Sequence, residues 1–101
     1  KKWKTGDEGK AFMEDWPGIS KETAEYLLSK QVAAVGTDAS ALDAIGTTNP
    51  AHKVLLGNGI NIIENVDKLD ILPHFFGVIG LPCRLKKGSG STMRLIALID
   101  K

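Results

Sequence analysis

The sequence has little of the chemistry that several common classes of protein require. Cys83 is the single cysteine among 101 residues, so no internal disulfide can form and a disulfide-stapled secreted scaffold is excluded. No apolar run reaches the roughly 18 residues that a membrane-spanning helix needs, so no membrane contact is predicted. The sequence begins at Lys1 without an apolar leader stretch, and we therefore expect a cytoplasmic protein.

The sequence also lacks an excess of charge of either sign. It has 13 Lys and Arg against 12 Asp and Glu, a net charge of +1. The one dense basic run, Arg84–Lys87, is too short to track a phosphate backbone, so no nucleic-acid partner is predicted. The hydrophobic content of 43% is enough to build a core, which excludes wholesale disorder.

The first part of the chain reads as an irregular segment followed by a helix and a strand. Residues 1–19 show no sustained period, and their scattered aromatic residues lead to a turn at Pro17-Gly18. Ser20 is typical of a helix N-cap, and the apolar spacing that follows predicts an amphipathic helix over Lys21–Lys30. Residues 32–35 then predict a short buried strand, which gives an α/β order of elements.

A second helix and strand follow in the middle of the chain. Asn49 before Pro50 is a strong helix start, and the pattern predicts a helix over Pro50–Leu56. After the tight turn at residues 58–59, Ile60–Ile63 is predicted to be a strand with Glu64 at its far end.

The last third of the chain is predicted to hold a short helix and a hairpin. The short helix covers Val66–Leu72, and a buried strand follows over Phe75–Leu81, with Leu85 as a possible extension. A Gly/Ser loop at residues 87–91 leads to the last strand, Met93–Ile99. The whole order predicts an α/β fold with a mixed sheet and flanking short helices.

His52 and Glu64 are the residues most suited to hold a metal ion. His52 lies in the first turn of the predicted helix, and Glu64 lies after the strand that follows it. If that strand doubles back on the helix, the two side chains meet, and imidazole nitrogen and carboxylate oxygen are ordinary ligands of Zn²⁺ or Mn²⁺. The spacing alone leaves two plainer interpretations open: a surface or capping histidine, and a solvent-facing carboxylate at a strand end.

Other polar residues carry weaker signals. Asp38, Ser40 and Asp43 follow a predicted strand, where side chains often line a site, although turn capping is the more ordinary interpretation. His74 is interpreted as a loop histidine with a packed ring, and Cys83 as a buried, inert thiol. The Gly/Ser loop matches neither a P-loop nor a Gly-x-Ser-x-Gly elbow, so serine hydrolase chemistry is not predicted.

Several segments, in this order, resemble the C-terminal half of the cyclase-family metal-dependent hydrolases, which include bacterial kynurenine formamidases and isatin hydrolases. The resemblance covers about Thr5–Asp100, and its most specific part is the His…Glu pair followed by Asn. The segments that carry it are Asp15-Trp16-Pro17-Gly18-Ile19-Ser20, Val35-Gly36-Thr37-Asp38-Ala39-Ser40-Ala41-Leu42-Asp43, Ala51-His52-Lys53-Val54-Leu55-Leu56-Gly57, Ile60-Asn61-Ile62-Ile63-Glu64-Asn65-Val66, Gly80-Leu81-Pro82, Gly88-Ser89-Gly90-Ser91 and Met93-Arg94-Leu95-Ile96-Ala97-Leu98.

The resemblance implies a specific activity and site. The fold would be of the swivelling β/β/α type, with His52 and Glu64 as ligands of a divalent metal, Zn²⁺ or Mn²⁺. The reaction would be hydrolysis of a small cyclic or aromatic amide such as N-formylkynurenine by a metal-activated water. The resemblance also implies a homodimer that binds a small-molecule substrate.

One departure from the family limits what this chain can do alone. The hallmark segment of the family, His-x-Gly-Thr-His-x-Asp-x-Pro-x-His, does not occur here, and with it the expected catalytic histidine and the remaining ligands are absent. Two ligands are fewer than the three that a catalytic zinc site takes from protein. We therefore expect residues 1–101 to be one segment, the C-terminal half of a cyclase-family domain, with the N-terminal half as its partner.

Two other functions remain open at this point. The chain could be a non-catalytic α/β module that binds a partner or completes an assembly, in which case His52 would tolerate substitution. It could also belong to a ring-closing cyclase that uses the same site, because a metal would polarise a carbonyl in both reactions.

Overall fold

The computed structural model describes residues 6–14 and 16–100, so the sequence interpretations that fall on residues 1–5 and on Asp15 lie outside the described residues. The chain forms two compact units, one ending at Asp67 and the other beginning at Lys68. The elements are helix α1 (Asp7–Glu14), helix α2 (Lys21–Ser29), strand β1 (Ala34–Gly36), helix α3 (Pro50–Gly57), strand β2 (Asn61–Ile63), a 3-10 turn (Leu69–Ile71), strand β3 (Gly77–Pro82) and strand β4 (Met93–Leu98).

The first unit is built on a pair of parallel strands. β1 and β2 pair with Val35 opposite Ile62, and α2 and α3 pack against each other in the same unit. Because the strands are parallel, both of their carboxyl ends lie at the same edge, where a site commonly forms in α/β proteins. The loop after β1 and the residues after β2 therefore both begin at the carboxyl edge of this strand pair.

The core of this unit is small and lies around α2, α3 and β2. Its buried members are apolar residues from both helices, from the loop after β1 and from the position just before β2. They are Ala24, Leu42, Ala51, Leu55 and Ile60. Leu42 fixes the loop to this core, so the next residue along the chain has a defined position.

The starts of α2 and α3 agree with the sequence in place, and the start of α3 differs in chemistry. Ser20 caps α2 as predicted, because its hydroxyl accepts a hydrogen bond from the backbone N–H of Thr23. Asn49 stands at the N-cap of α3, but its φ of 55° is left-handed and its side chain makes no capping hydrogen bond. The N-terminus of α3 is instead satisfied by a residue from the preceding loop, described below.

The prediction of an irregular segment over residues 1–19 is wrong for part of its length. Asp7–Glu14 forms α1, with acidic Asp7 and Glu8 in its first turn, where the helix dipole favours negative charge. None of its residues is buried. The helix is short and falls in a stretch without sustained apolar periodicity, the signal from which the other helices were predicted.

The second unit is a two-stranded antiparallel hairpin, with Ile79 opposite Ile96. The Gly/Ser loop joins the two strands as predicted. The prediction of a buried strand is wrong, since all six residues of β3 are exposed, and β3 ends at Pro82 without reaching Leu85. The predicted helix over Val66–Leu72 is reduced to the 3-10 turn Leu69–Ile71.

The predicted α/β class is confirmed by this arrangement of helices with parallel and antiparallel strand pairs. The parallel and antiparallel pairs form separate two-stranded sheets in the described residues rather than one mixed sheet. None of the helices in the described part of the chain combines the length and the apolar character that crossing a membrane requires.

Candidate metal site

The candidate site lies at the edge where β1 and β2 both end. Glu64 directly follows β2, and Asp43 belongs to the loop that leaves β1. That loop is tied to the chain after β2, since Val66 N donates to Thr37 O and Asn65 N donates to Ala39 O. The two backbone hydrogen bonds bring the loop beside Glu64.

His52 and Glu64, the two residues predicted from the sequence, are in contact. His52 Nε2 lies 3.2 Å from Glu64 Oε1, and each side chain is 28% exposed. Glu64 Oε1 also accepts a hydrogen bond of 2.9 Å from the backbone N–H of Leu42, which fixes the carboxylate from the other side. The structure thus brings together the pair that the sequence proposed.

Asp43 holds His52 from the opposite side of its ring. The carboxylate is 1% exposed, and its Oδ2 lies 2.6 Å from His52 Nδ1. The same carboxylate accepts hydrogen bonds from the backbone N–H groups of Ala51 and His52, at 2.8 and 2.9 Å. Asp43 therefore caps α3 in place of Asn49, while it also holds the histidine side chain.

The protonation state of Asp43 follows from these partners. Burial by itself would raise the pKa of the Asp43 carboxyl. The hydrogen bonds from the His52 ring and from the backbone N–H groups of Ala51 and His52 outweigh burial, and the pKa of Asp43 is lowered. Asp43 is consequently an acceptor only, and both of its oxygens are used.

The backbone that carries Asp43 is itself anchored. The indole N–H of Trp16 donates to the carbonyl oxygen of Asp43 at 2.8 Å, and Ile19 N donates to Leu42 O. A methyl group added at Gly18 would overlap the backbone of Asp43 and Ala44, so only glycine allows this close approach. The Trp-Pro-Gly segment therefore acts as a support for the site, a role that the sequence analysis did not assign to it.

The other sequence candidates take no part in this arrangement. Asp38 is exposed, and Ser40 directs its hydroxyl to Met13 Sδ at 3.5 Å. His74 is exposed, and Cys83 is exposed with its Sγ 3.7 Å from Thr92 Oγ1, so the interpretation of Cys83 as a buried thiol is wrong.

The pair of His52 and Glu64 fits a metal ion as part of a ligand set. Two ligand atoms that each lie about 2.1 Å from a tetrahedral metal are about 3.4 Å apart, close to the observed separation. Asp43 supplies the carboxylate that metal-binding histidines usually engage through their other nitrogen. Within residues 6–14 and 16–100, however, no group of three or more His, Cys, Asp or Glu side chains could hold a metal, so the pair is not a complete site.

Comparison with known proteins gives consistent matches. Residues 1–44 match the sequence model of the Cyclase family, described as "Putative cyclase", a range that includes Asp43 and stops before His52. The chain is 32% identical over 91 residues to isatin hydrolase from Roseibium aggregatum, covering 84% of this chain and 35% of that protein. It is 31% identical over 88 residues to kynurenine formamidase from Salinibacter ruber, covering 82% and 42%.

A comparison of the fold with solved structures also matches a metal-dependent hydrolase. A solved structure described as a potential metal-dependent hydrolase with cyclase activity matches with a TM-score of 0.73 and 26% identity, over 81% of this chain and 41% of the other. These matches confirm the resemblance to the cyclase-family metal-dependent hydrolases. The chain spans less than half the length of these relatives, 35% and 42% of the two curated proteins.

Proposed function

We propose that this chain forms part of a metal-dependent hydrolase of the cyclase family, in which His52 and Glu64 are metal ligands. The observation that supports this most directly is the 3.2 Å contact between His52 Nε2 and Glu64 Oε1. Each of the two side chains is also held by a further hydrogen-bond partner. Relatives that are named as hydrolases, at about 30% identity, support the reaction class.

The residues of this chain have defined tasks in the proposed site. Asp43 orients the ring of His52, and Leu42 N–H orients the carboxylate of Glu64, so both ligand atoms are held before metal binds. A bound divalent metal, Zn²⁺ or Mn²⁺, would polarise the substrate carbonyl and lower the pKa of a water molecule. The partial exposure of both side chains leaves room for ligands and substrate from outside this pair.

The proposed substrate is a small cyclic or aromatic amide, with N-formylkynurenine as the first candidate. Curated relatives are named kynurenine formamidase and isatin hydrolase, which points to aromatic amides and related rings. The remaining metal ligands would come from an N-terminal half of the domain, and a homodimer is proposed as the assembly.

Metal binding by the complete gene product, which would include the remaining ligands, tests the ligand assignment. We expect His52→Ala and Glu64→Ala each to weaken Zn²⁺ or Mn²⁺ binding, measured by calorimetry, on the order of tenfold or more, because each removes a ligand atom. His74→Ala is the matched control, since His74 is an exposed histidine of the second unit, and it should leave binding unchanged. Folded variants that bind metal as the unsubstituted chain does would refute the assignment.

The substrate and the alternatives need a second experiment. The complete gene product, loaded with Zn²⁺ or Mn²⁺, is assayed with N-formylkynurenine and with isatin, and its molecular mass is measured by light scattering. Release of kynurenine supports the formamidase proposal, whereas ring closure of an open substrate would favour a cyclase. If the protein binds no metal and converts neither substrate, a non-catalytic binding module is favoured.

A further inference from the structure

The carboxylate of Asp43 makes more contacts than helix capping requires. Oδ1 accepts from Ala51 N–H at 2.8 Å, and Oδ2 accepts from His52 N–H at 2.9 Å, which already satisfies the first turn of α3. Oδ2 additionally lies 2.6 Å from Nδ1 of the His52 ring. One buried side chain thus holds both the backbone and the ring of the same histidine.

This contact determines which ring nitrogen of His52 carries the proton. An ionised carboxylate can only accept hydrogen bonds, so the nitrogen that faces it must donate. In the neutral imidazole, Nδ1 then carries the proton and Nε2 keeps its lone pair. Nε2 faces a second carboxylate, but Glu64 Oε1 lies at the longer distance of 3.2 Å and both side chains are 28% exposed. The single proton of the neutral ring is therefore assigned to the shorter, buried contact of Nδ1 with Asp43, which leaves the lone pair on Nε2.

We propose that Asp43 is the positioning residue of this site, which fixes the tautomer and the ring orientation of His52 so that Nε2 is the metal-binding atom. The inference rests on the proposed function for the role of His52. It assigns to Asp43 a task beyond the stability of α3, because a capping residue alone has no need to contact the ring. Since Asp43 is 1% exposed, water does not compete for the contact with Nδ1.

The tautomer can be measured in the unsubstituted chain without metal. Nitrogen-15 NMR of the two ring nitrogens is recorded at a pH where His52 is neutral. We expect Nδ1 to be the protonated nitrogen and Nε2 the unprotonated one. A proton on Nε2 would overturn the proposal, and this measurement does not depend on the folding of any variant.

Asp43→Ala separates positioning from simple stability. In the folded variant we expect the Nδ1–H form to lose its dominance, and the affinity for Zn²⁺ to fall about 10- to 100-fold, the usual effect of removing a partner behind a metal ligand. Asp38→Ala is the matched control, because Asp38 is an exposed aspartate of the same loop, and it should change neither measurement.

The outcomes distinguish this inference from the proposed function. A folded Asp43→Ala variant that binds Zn²⁺ as tightly as the unsubstituted chain overturns the positioning role, whatever its tautomer. If the complete gene product binds no metal but has the proton on Nδ1, the proposed function fails while the tautomer control by Asp43 stands. If it binds metal but has the proton on Nε2, the proposed function stands and the inference fails.

Discussion

At the scale of single residues, the site depends on a backbone contact as much as on its polar side chains. Gly18 lies so close to Asp43 and Ala44 that any side chain at this position would overlap their backbone. The loop that presents the Asp43 carboxylate is therefore held by van der Waals contact from one side and by the Trp16 indole hydrogen bond. Neither feature contains a metal ligand, yet both determine where the carboxylate lies.

Gly18→Ala should therefore destabilise the first unit. The added methyl group must displace the backbone of residues 43–44, and overpacking of this kind costs about 1–3 kcal/mol. The free energy of unfolding is measured by urea denaturation. Gly57→Ala is the control: a methyl group there meets no atom within 4 Å, and replacing a helical glycine should stabilise by about 0.4–1 kcal/mol. Equal effects of the two substitutions would refute the packing argument.

The residues also show what the sequence could and could not predict about the site. His52 and Glu64 could be paired because a helix start and a strand of known lengths separate them, and both signals are local. The double role of Asp43 could not be predicted, because it depends on the path of residues 44–49 and on a left-handed Asn49 that gives up its own capping role. The preference for Asn at helix N-caps predicted that Asn49 caps α3, whereas in the fold the Asp43 carboxylate caps it.

At the scale of elements, α2 shows how a local cap controls a nearby charge. Hydrogen bonds from the Glu22 backbone N–H and from the Ser20 hydroxyl, together with the charge of Lys21, lower the pKa of the Glu22 carboxyl. A carboxyl whose pKa is lowered by folding stabilises the folded state above its unfolded pKa of about 4.3. That contribution is lost as the pH falls through the lower, folded value.

Ser20→Ala should consequently raise the pKa of Glu22, as measured by carbon-13 NMR titration of its carboxyl group. The same substitution removes the hydrogen bond from Thr23 N–H, and the loss of an N-cap costs about 0.5–2 kcal/mol of stability. Ser29→Ala, which removes a hydroxyl at the other end of α2, is the control and should leave the Glu22 titration in place. An unchanged Glu22 pKa in Ser20→Ala would show that the Ser20 hydroxyl has no part in lowering it.

Elements also account for the sequence predictions that were wrong. Within the first unit, α1 was missed, whereas α2, α3, β1 and β2 were found within one or two residues, because their caps and apolar periodicity are local and agree with the packing. Strand β3 was predicted to be buried because it is apolar throughout, and its residues are exposed in this chain. A run that is apolar at every position is typical of a strand covered on both faces, an environment that residues 6–14 and 16–100 do not supply.

At the scale of the whole molecule, the two units differ in how many of their apolar side chains are buried. The first has fully buried residues, including Ala24, Ala51 and Leu55. In the second, Ile79 and Ile96 form a cross-strand pair that is 42% and 39% exposed, and Leu98 on the same face is 53% exposed. No residue of β3 or β4 is fully buried. A two-stranded hairpin of this kind is marginally stable in water, so the two units should differ in local stability.

Amide hydrogen exchange of the 101-residue chain tests this difference. We expect the hydrogen-bonded amides of α3 to exchange at least on the order of tenfold more slowly, relative to the chain unfolded in urea, than those of β3 and β4. The reason is that opening α3 exposes the buried Leu55, whereas opening the hairpin exposes side chains that water already reaches. Equal protection of the two units would contradict the argument, and protection of the hairpin that rises with protein concentration would show that a second copy covers its apolar face.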